Sequence, residues 1–135
     1  MTLRVEVAIE RWPLREPFEI AREVMHDLPL IAVTLTDSDG HKGRAEAAGV
    51  DYDGETPALM LAQIDAVAAQ LHDDLSGKDL LDLMPAGGAR NALDCALWDL
   101  RAKQRGVRVW ASADLPAPKP VITAVTIGLG SLEDV

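Results

Sequence analysis

The hydrophobic period of the chain changes once, near residue 56, and that change constrains the fold more than any other feature. Before it, Leu3, Val5, Val7 and Ile9 alternate with Arg4, Glu6 and Ala8, the period of two expected of a half-buried strand. Ile31, Val33 and Leu35 alternate in the same way with Thr34 and Thr36, then Asp37-Ser38-Asp39-Gly40 supplies turn residues. Residues 42–48 read as a third strand, in a hairpin with the second. The segment between the first two strands, residues 13–29, contains Arg22, Glu23, Met25, His26 and Asp27 and has no clear period. It reads as a long loop, of a length that in compact domains is functional or mobile.

After residue 56 the period is helical. Thr56 can cap free amides, and Pro57 loses no hydrogen bond at the first helical position, so a helix is expected to run through Leu59, Met60, Ile64, Val67, Ala68 and Leu71. Residues 78–84 form a short amphipathic stretch, and residues 89–105 a longer helix with Ala89, Leu93, Ala96, Leu97 and Leu100 inward. Gly106 ends it, and Asp99 and Lys103 stand one turn apart on its outer face. Strands gathered before helices predict an α+β fold, a three-stranded antiparallel meander followed by a helical layer. A proline-rich linker follows at residues 115–120, then an apolar, β-branched run at 121–129 that reads as a buried strand. Ser131, Glu133 and Asp134 suit the first turn of a helix, so the expectation is a further domain cut short.

Charge and composition remove several function classes. Thirteen Lys and Arg against 22 Asp and Glu give a net charge of −9, the wrong sign for a nucleic-acid partner. No apolar run approaches the ~18 residues of a membrane span. Cys95 is the sole cysteine, which excludes an internal disulfide and fits a reducing, cytoplasmic setting. Its mid-helix position predicts a packed, inert thiol. Asp51-Tyr52-Asp53-Gly54-Glu55 fails as a calcium loop, because Gly49 and Met60 fall where ligands are needed. His26, His41 and His72 show no metal spacing, with His41 and His72 expected at the surface. Gly87-Gly88 resembles part of an anion cradle but lacks a preceding strand, so a tight turn between helices is the better reading. The residues by themselves display no catalytic set.

The run Ala89-Arg90-Asn91-Ala92-Leu93-Asp94-Cys95-Ala96-Leu97-Trp98-Asp99-Leu100-Arg101-Ala102-Lys103 resembles the last long helix of the capping domain in the enolase superfamily. Trp12-Pro-Leu-Arg-Glu-Pro-Phe18, the segment from Gly43 to Glu46, Gly54-Glu55 and Ile122-Thr-Ala-Val-Thr126 are similar to the dipeptide epimerases of the alanyl-glutamate type. The resemblance covers essentially the whole chain. It implies a capping domain over residues 1–115, then a linker and the first strand of a truncated (β/α)-barrel over 116–135. A complete barrel takes about 250 residues.

The resemblance further implies a magnesium-dependent isomerase that inverts an α-carbon through an enolate. Its proton-transfer lysines and metal carboxylates belong to later barrel strands, so no catalytic residue and no metal ligand is expected within these 135 residues. The chain alone is then inactive. The implied partners are a dipeptide and the missing barrel domain, and a homo-oligomer is left open. Two loops, residues 19–29 and 48–55, would choose the substrate side chain, with Arg22, Met25, Val50, Tyr52 and Thr126 as the substrate-binding residues. Met25 stands where the alanyl-glutamate epimerases carry an arginine for the glutamyl carboxylate, which a thioether cannot replace. Whether Arg22 substitutes stays open. Alternatives are a muconate-cycloisomerising or succinylbenzoate-forming enzyme, and a non-catalytic module that binds a small ligand or a protein.

Overall fold

The computed structural model describes residues 1–20 and 23–125. Three strands form one antiparallel sheet in the order β1-β2-β3, with β1 at Arg4–Ile20, β2 at Glu23–Thr36 and β3 at Lys42–Ala47. Among the described residues four α-helices follow: α1 at Pro57–Val67, α2 at Gly77–Leu83, α3 at Gly88–Arg105 and the single turn α4 at Val109–Ser112. The meander and the helical layer are those expected from the change of period.

In place of the long loop expected at residues 13–29, the described residues 13–20 and 23–29 continue β1 and β2 as a two-stranded ribbon. Pairing runs from Arg4 opposite Thr36 to Ile20 opposite Glu23, with one irregularity between Pro13 and Phe18. Pro13 and Pro17 have no amide hydrogen to give a ladder, which accounts for the break. The ribbon extends past the core, and most of its residues on both strands are exposed. With neither face uniformly buried, the apolar alternation that marks a strand never develops.

The core lies where one face of the sheet meets the helices. Ile31, Val33 and Leu35 from β2 pack with Met60 and Ile64 from α1 and with Leu93, Ala96 and Leu100 from α3, all almost wholly buried. A Cβ built on Gly43 would fall 2.1 Å from the Ala96 carbonyl oxygen, so β3 and α3 are in backbone contact there and nothing larger than glycine fits. Thr56 caps α1 through its Oγ1, which accepts from the Leu59 amide at 3.1 Å. Such a cap is worth roughly 1 kcal/mol. The helix tightens into a 3₁₀ turn at Ala68–Gln70 and delivers Leu71 into the core. Ser76 and Asp79 form a reciprocal capping box on α2, and these bonds to Ser76 hold the Asp79 carboxyl below its ordinary value. Gly106, left-handed at φ 66°, ends α3 as expected.

Two further expectations differ from the structure of the described residues. Cys95 is exposed rather than packed, because it lies off the stripe that Ala92, Leu93, Ala96 and Leu97 turn inward. Desolvation and the nearby Asp94 and Glu46 carboxylates raise its thiol pKa. The run expected as a buried strand at 121–129 shows neither strand nor burial over its described part, and Val121 and Ile122 are 84% and 104% exposed. A parallel strand takes its hydrogen bonds from neighbours on either side, and no described strand of this chain pairs with 121–125. Arg22 and Thr126 lie outside the described residues.

Candidate functional site

The far end of the β1–β2 ribbon and the loop after β3 face each other. Met25 sits opposite Phe18 in the ladder and shares a strand face with Asp27 and Pro29. Across from them, Ala48, Gly49 and Pro57 close a cavity of about 250 Å³. Two segments that are far apart in sequence thus meet at one depression, because β3 returns alongside β2 and leaves its C-terminal end at Ala47, beside Ile31. A larger, open cleft of about 1490 Å³ adjoins it, lined by Trp12, Leu28, Val50, Leu59, Leu81 and Trp98 among others.

Charge around the smaller cavity is mostly internally matched. Arg11 is the sole Arg or Lys among the described lining residues. Its guanidinium grips the Asp27 carboxylate with two contacts, Nη2 at 2.8 Å from Oδ1 and Nε donating to Oδ2 at 3.2 Å. A forked pair of this kind holds the cation in a fixed orientation. Glu55 spends both carboxylate oxygens on backbone amides, Oε1 accepting from Gly88 at 2.7 Å and Oε2 from Val50 at 3.2 Å. The amide at Gly87-Gly88 that resembled an anion cradle is therefore occupied by the chain's own glutamate, within the turn that links α2 to α3.

The residues expected to bind substrate are only partly brought together. Met25 lines the smaller cavity and Val50 the adjoining cleft, while Tyr52 is 91% exposed and lines neither. Arg22 and Thr126 fall outside the described residues. Sequence reasoning missed Trp12, Leu28 and the Arg11–Asp27 pair. The signal that would have found them is the strand register, which sets Trp12 opposite Leu28 and Arg11 opposite Pro29, two residues from Asp27.

The magnesium implied by the resemblance does not fit the clustered ligands among the described residues, which are Asp37, Asp39 and His41. Asp37 already accepts from Gln104 Nε2 at 2.7 Å, the His41 amide at 2.8 Å and the Asp39 amide at 3.0 Å, with His41 Nδ1 at 2.9 Å. Magnesium asks for octahedral oxygen ligands, and this carboxylate has no oxygen to spare. The cluster also sits at the opposite end of β2 from Met25, a separation of roughly 3.3 Å per residue along the strand.

Comparison with known proteins agrees with this architecture. Residues 2–111 match the family model described as mandelate racemase/muconate lactonizing enzyme, N-terminal domain. The chain is 40% identical over 127 residues to the L-Ala-D/L-Glu epimerase of Escherichia coli (strain K12), covering 94% of this chain and 39% of that protein. It is 38% identical over 121 residues to the hydrophobic dipeptide epimerase of Roseobacter litoralis, covering 85% of this chain and 34% of that one. A dipeptide epimerase from Methylococcus capsulatus, crystallised with Mg and L-Arg-D-Lys, superposes with a TM-score of 0.85 at 28% identity, over 99% of this chain and 40% of that one. The chain thus spans between about a third and two fifths of the length of these relatives. With its meander, its helical layer and the match over residues 2–111, the chain belongs to the mandelate racemase/muconate lactonizing enzyme family, as an N-terminal domain.

Proposed function

We propose that the chain is the capping, substrate-selecting part of a magnesium-dependent dipeptide epimerase, with residues 1–115 as the cap and residues 116–135 leading into a barrel. The cavity between Met25 on β2 and Ala48-Gly49 after β3 carries the reading, since it lies between the two segments that would close over a substrate side chain. The relatives named for epimerising dipeptides support the reaction class. Inversion at an α-carbon requires a proton to leave one face and return on the other, and a metal ion supplies charge stabilisation for the carbanionic character that develops. On this reading the proton-transfer groups and the metal ligands come from the part of the enzyme outside this chain. The chain's own residues bind and orient the second residue of the dipeptide and exclude water from it.

Met25 gives the smaller cavity an apolar side and Val50 does the same for the adjoining cleft, and the one described Arg or Lys lining the smaller cavity is held by Asp27. The preferred second residue is therefore not acidic. No described helix is long and apolar enough to cross a membrane, in keeping with an enzyme of the cytoplasm. The test is NMR-detected exchange of the α-proton of L-alanyl-L-leucine in D₂O. The complete enzyme with magnesium should exchange and invert that centre, and the 135-residue chain alone should not. Failure of the complete enzyme on every dipeptide refutes the proposal.

A further inference from the structure

Thr56 and Glu55 are consecutive residues that each cap a different helix. Thr56 caps α1, the helix that begins beside it, whereas Glu55 reaches across 33 positions to the first amide of α3. The residue before α3, Gly87, has no side chain to cap with, and a carboxylate at a helix N-terminus is favoured by the exposed amides and the helix dipole. The second oxygen of Glu55 takes the Val50 amide, and the Glu55 amide donates back to the Val50 carbonyl at 3.2 Å. The loop after β3 is thereby closed on itself at Val50. It is also packed tight: a Cβ on Gly49 would lie 2.3 Å from the Glu55 carbonyl oxygen. Glu55 lines both cavities and stands between them.

From this geometry we infer that Glu55 is a positioning residue: its carboxylate fastens the loop at residues 48–55 to the start of α3 and so fixes where Val50 and Gly49 meet the substrate side chain. A glutamate is needed because two amides point at it and only a carboxylate of this length offers an acceptor oxygen to each. Glutamine has the same shape but a single acceptor oxygen, so it can hold Val50 or Gly88 and not both. Aspartate is a methylene too short to span them.

The inference rests on the proposed epimerase function for its consequence but not for its geometry, and the experiment separates the two. In the complete enzyme, hydrogen exchange followed by mass spectrometry compares the parent with Glu55→Gln and Glu55→Ala. Exchange should quicken in peptides covering residues 48–55 and 87–91 in Glu55→Ala, and in one of the two in Glu55→Gln. The same proteins are assayed on L-alanyl-L-leucine and L-alanyl-L-alanine, whose second side chains differ in their reach toward the loop. The ratio of kcat/KM for the two substrates should fall about tenfold, mainly through KM for the leucine substrate. Unchanged exchange in the isosteric Glu55→Gln overturns the clamp, and an unchanged substrate ratio overturns the positioning role, since a purely structural defect would lower both substrates alike. A parent without activity on any dipeptide refutes the function and the positioning role together, while the exchange data still decide whether the clamp exists.

Discussion

The Asp99 carboxylate accepts the Arg44 backbone amide at 2.8 Å and so ties the middle of α3 to β3. The same oxygen meets Lys103 Nζ at 2.5 Å, and Lys103 in turn donates to the Lys42 carbonyl at 2.9 Å. The Asp99–Lys103 pair is thus more than a surface ion pair along one helix, because both members also bond the backbone of the neighbouring strand. Asp99→Ala leaves an edge amide without its charged acceptor. It should cost about 1.5–3 kcal/mol, against ~0.5 kcal/mol for an exposed helical pair, as read from urea denaturation of the parent and variant.

Leu97 and Leu93 project from α3 into the core, and each is almost wholly buried. Leu97→Asp places a carboxylate on the apolar face of α3, and Arg101, one turn on, is already committed to the Asp73 and Leu75 carbonyls. A loss of about 3–5 kcal/mol is expected, most of the stability of a domain at the low end of the ordinary range of roughly 5–15 kcal/mol. Leu93→Asp should behave alike, and a thermal melt within a degree of the parent would show that the buried face of α3 is assigned wrongly.

The turn between β2 and β3 carries an acid-sensitive contact. The Gln104 side chain, with the amide and ring of His41, holds the Asp37 carboxyl down to about 2 from an ordinary 3.8. A carboxyl whose folded pKa is lowered stabilises the fold above its unfolded pKa, and that contribution disappears as pH falls through the folded value. The difference in stability between the parent and Asp37→Asn should therefore be constant above pH 4 and shrink between pH 4 and about 2. Urea midpoints measured across that window check it, and a difference that stays flat down to pH 2 would contradict the bonding around Asp37.

Substrate choice should turn on Met25. An acidic second residue beside Met25 would lose water without gaining a free cation from the described lining residues, since Arg11 is held by Asp27, and a carboxylate left desolvated and unpaired costs on the order of several kcal/mol. In the complete enzyme L-alanyl-L-leucine should be preferred to L-alanyl-L-glutamate, and Met25→Arg should raise the relative kcat/KM for the glutamate substrate by about 10- to 100-fold. A parent that prefers glutamate and loses the preference in Arg22→Ala would assign the cation to Arg22 instead.

By itself the sequence determined the parts of this protein whose causes are local or periodic. Alternation at residues 3–9 and 31–36 made strands, the threonine and proline at 56 and 57 started α1, and Gly106 stopped α3, since each depends on neighbours within a turn or on one buried face. Tertiary structure decided the rest. The ribbon at residues 13–20 and 23–29 formed without an alternating pattern, because cross-strand hydrogen bonds stabilise it and no core sorts its side chains. The meeting of Met25 with Ala48-Gly49, the fork of Arg11 on Asp27 and the reach of Glu55 to Gly88 join residues between 16 and 33 positions apart. No local period encodes such contacts; the fork exists because β1 pairs with β2, and the other two because β3 returns beside β2 and α3 packs back onto β3 at Gly43.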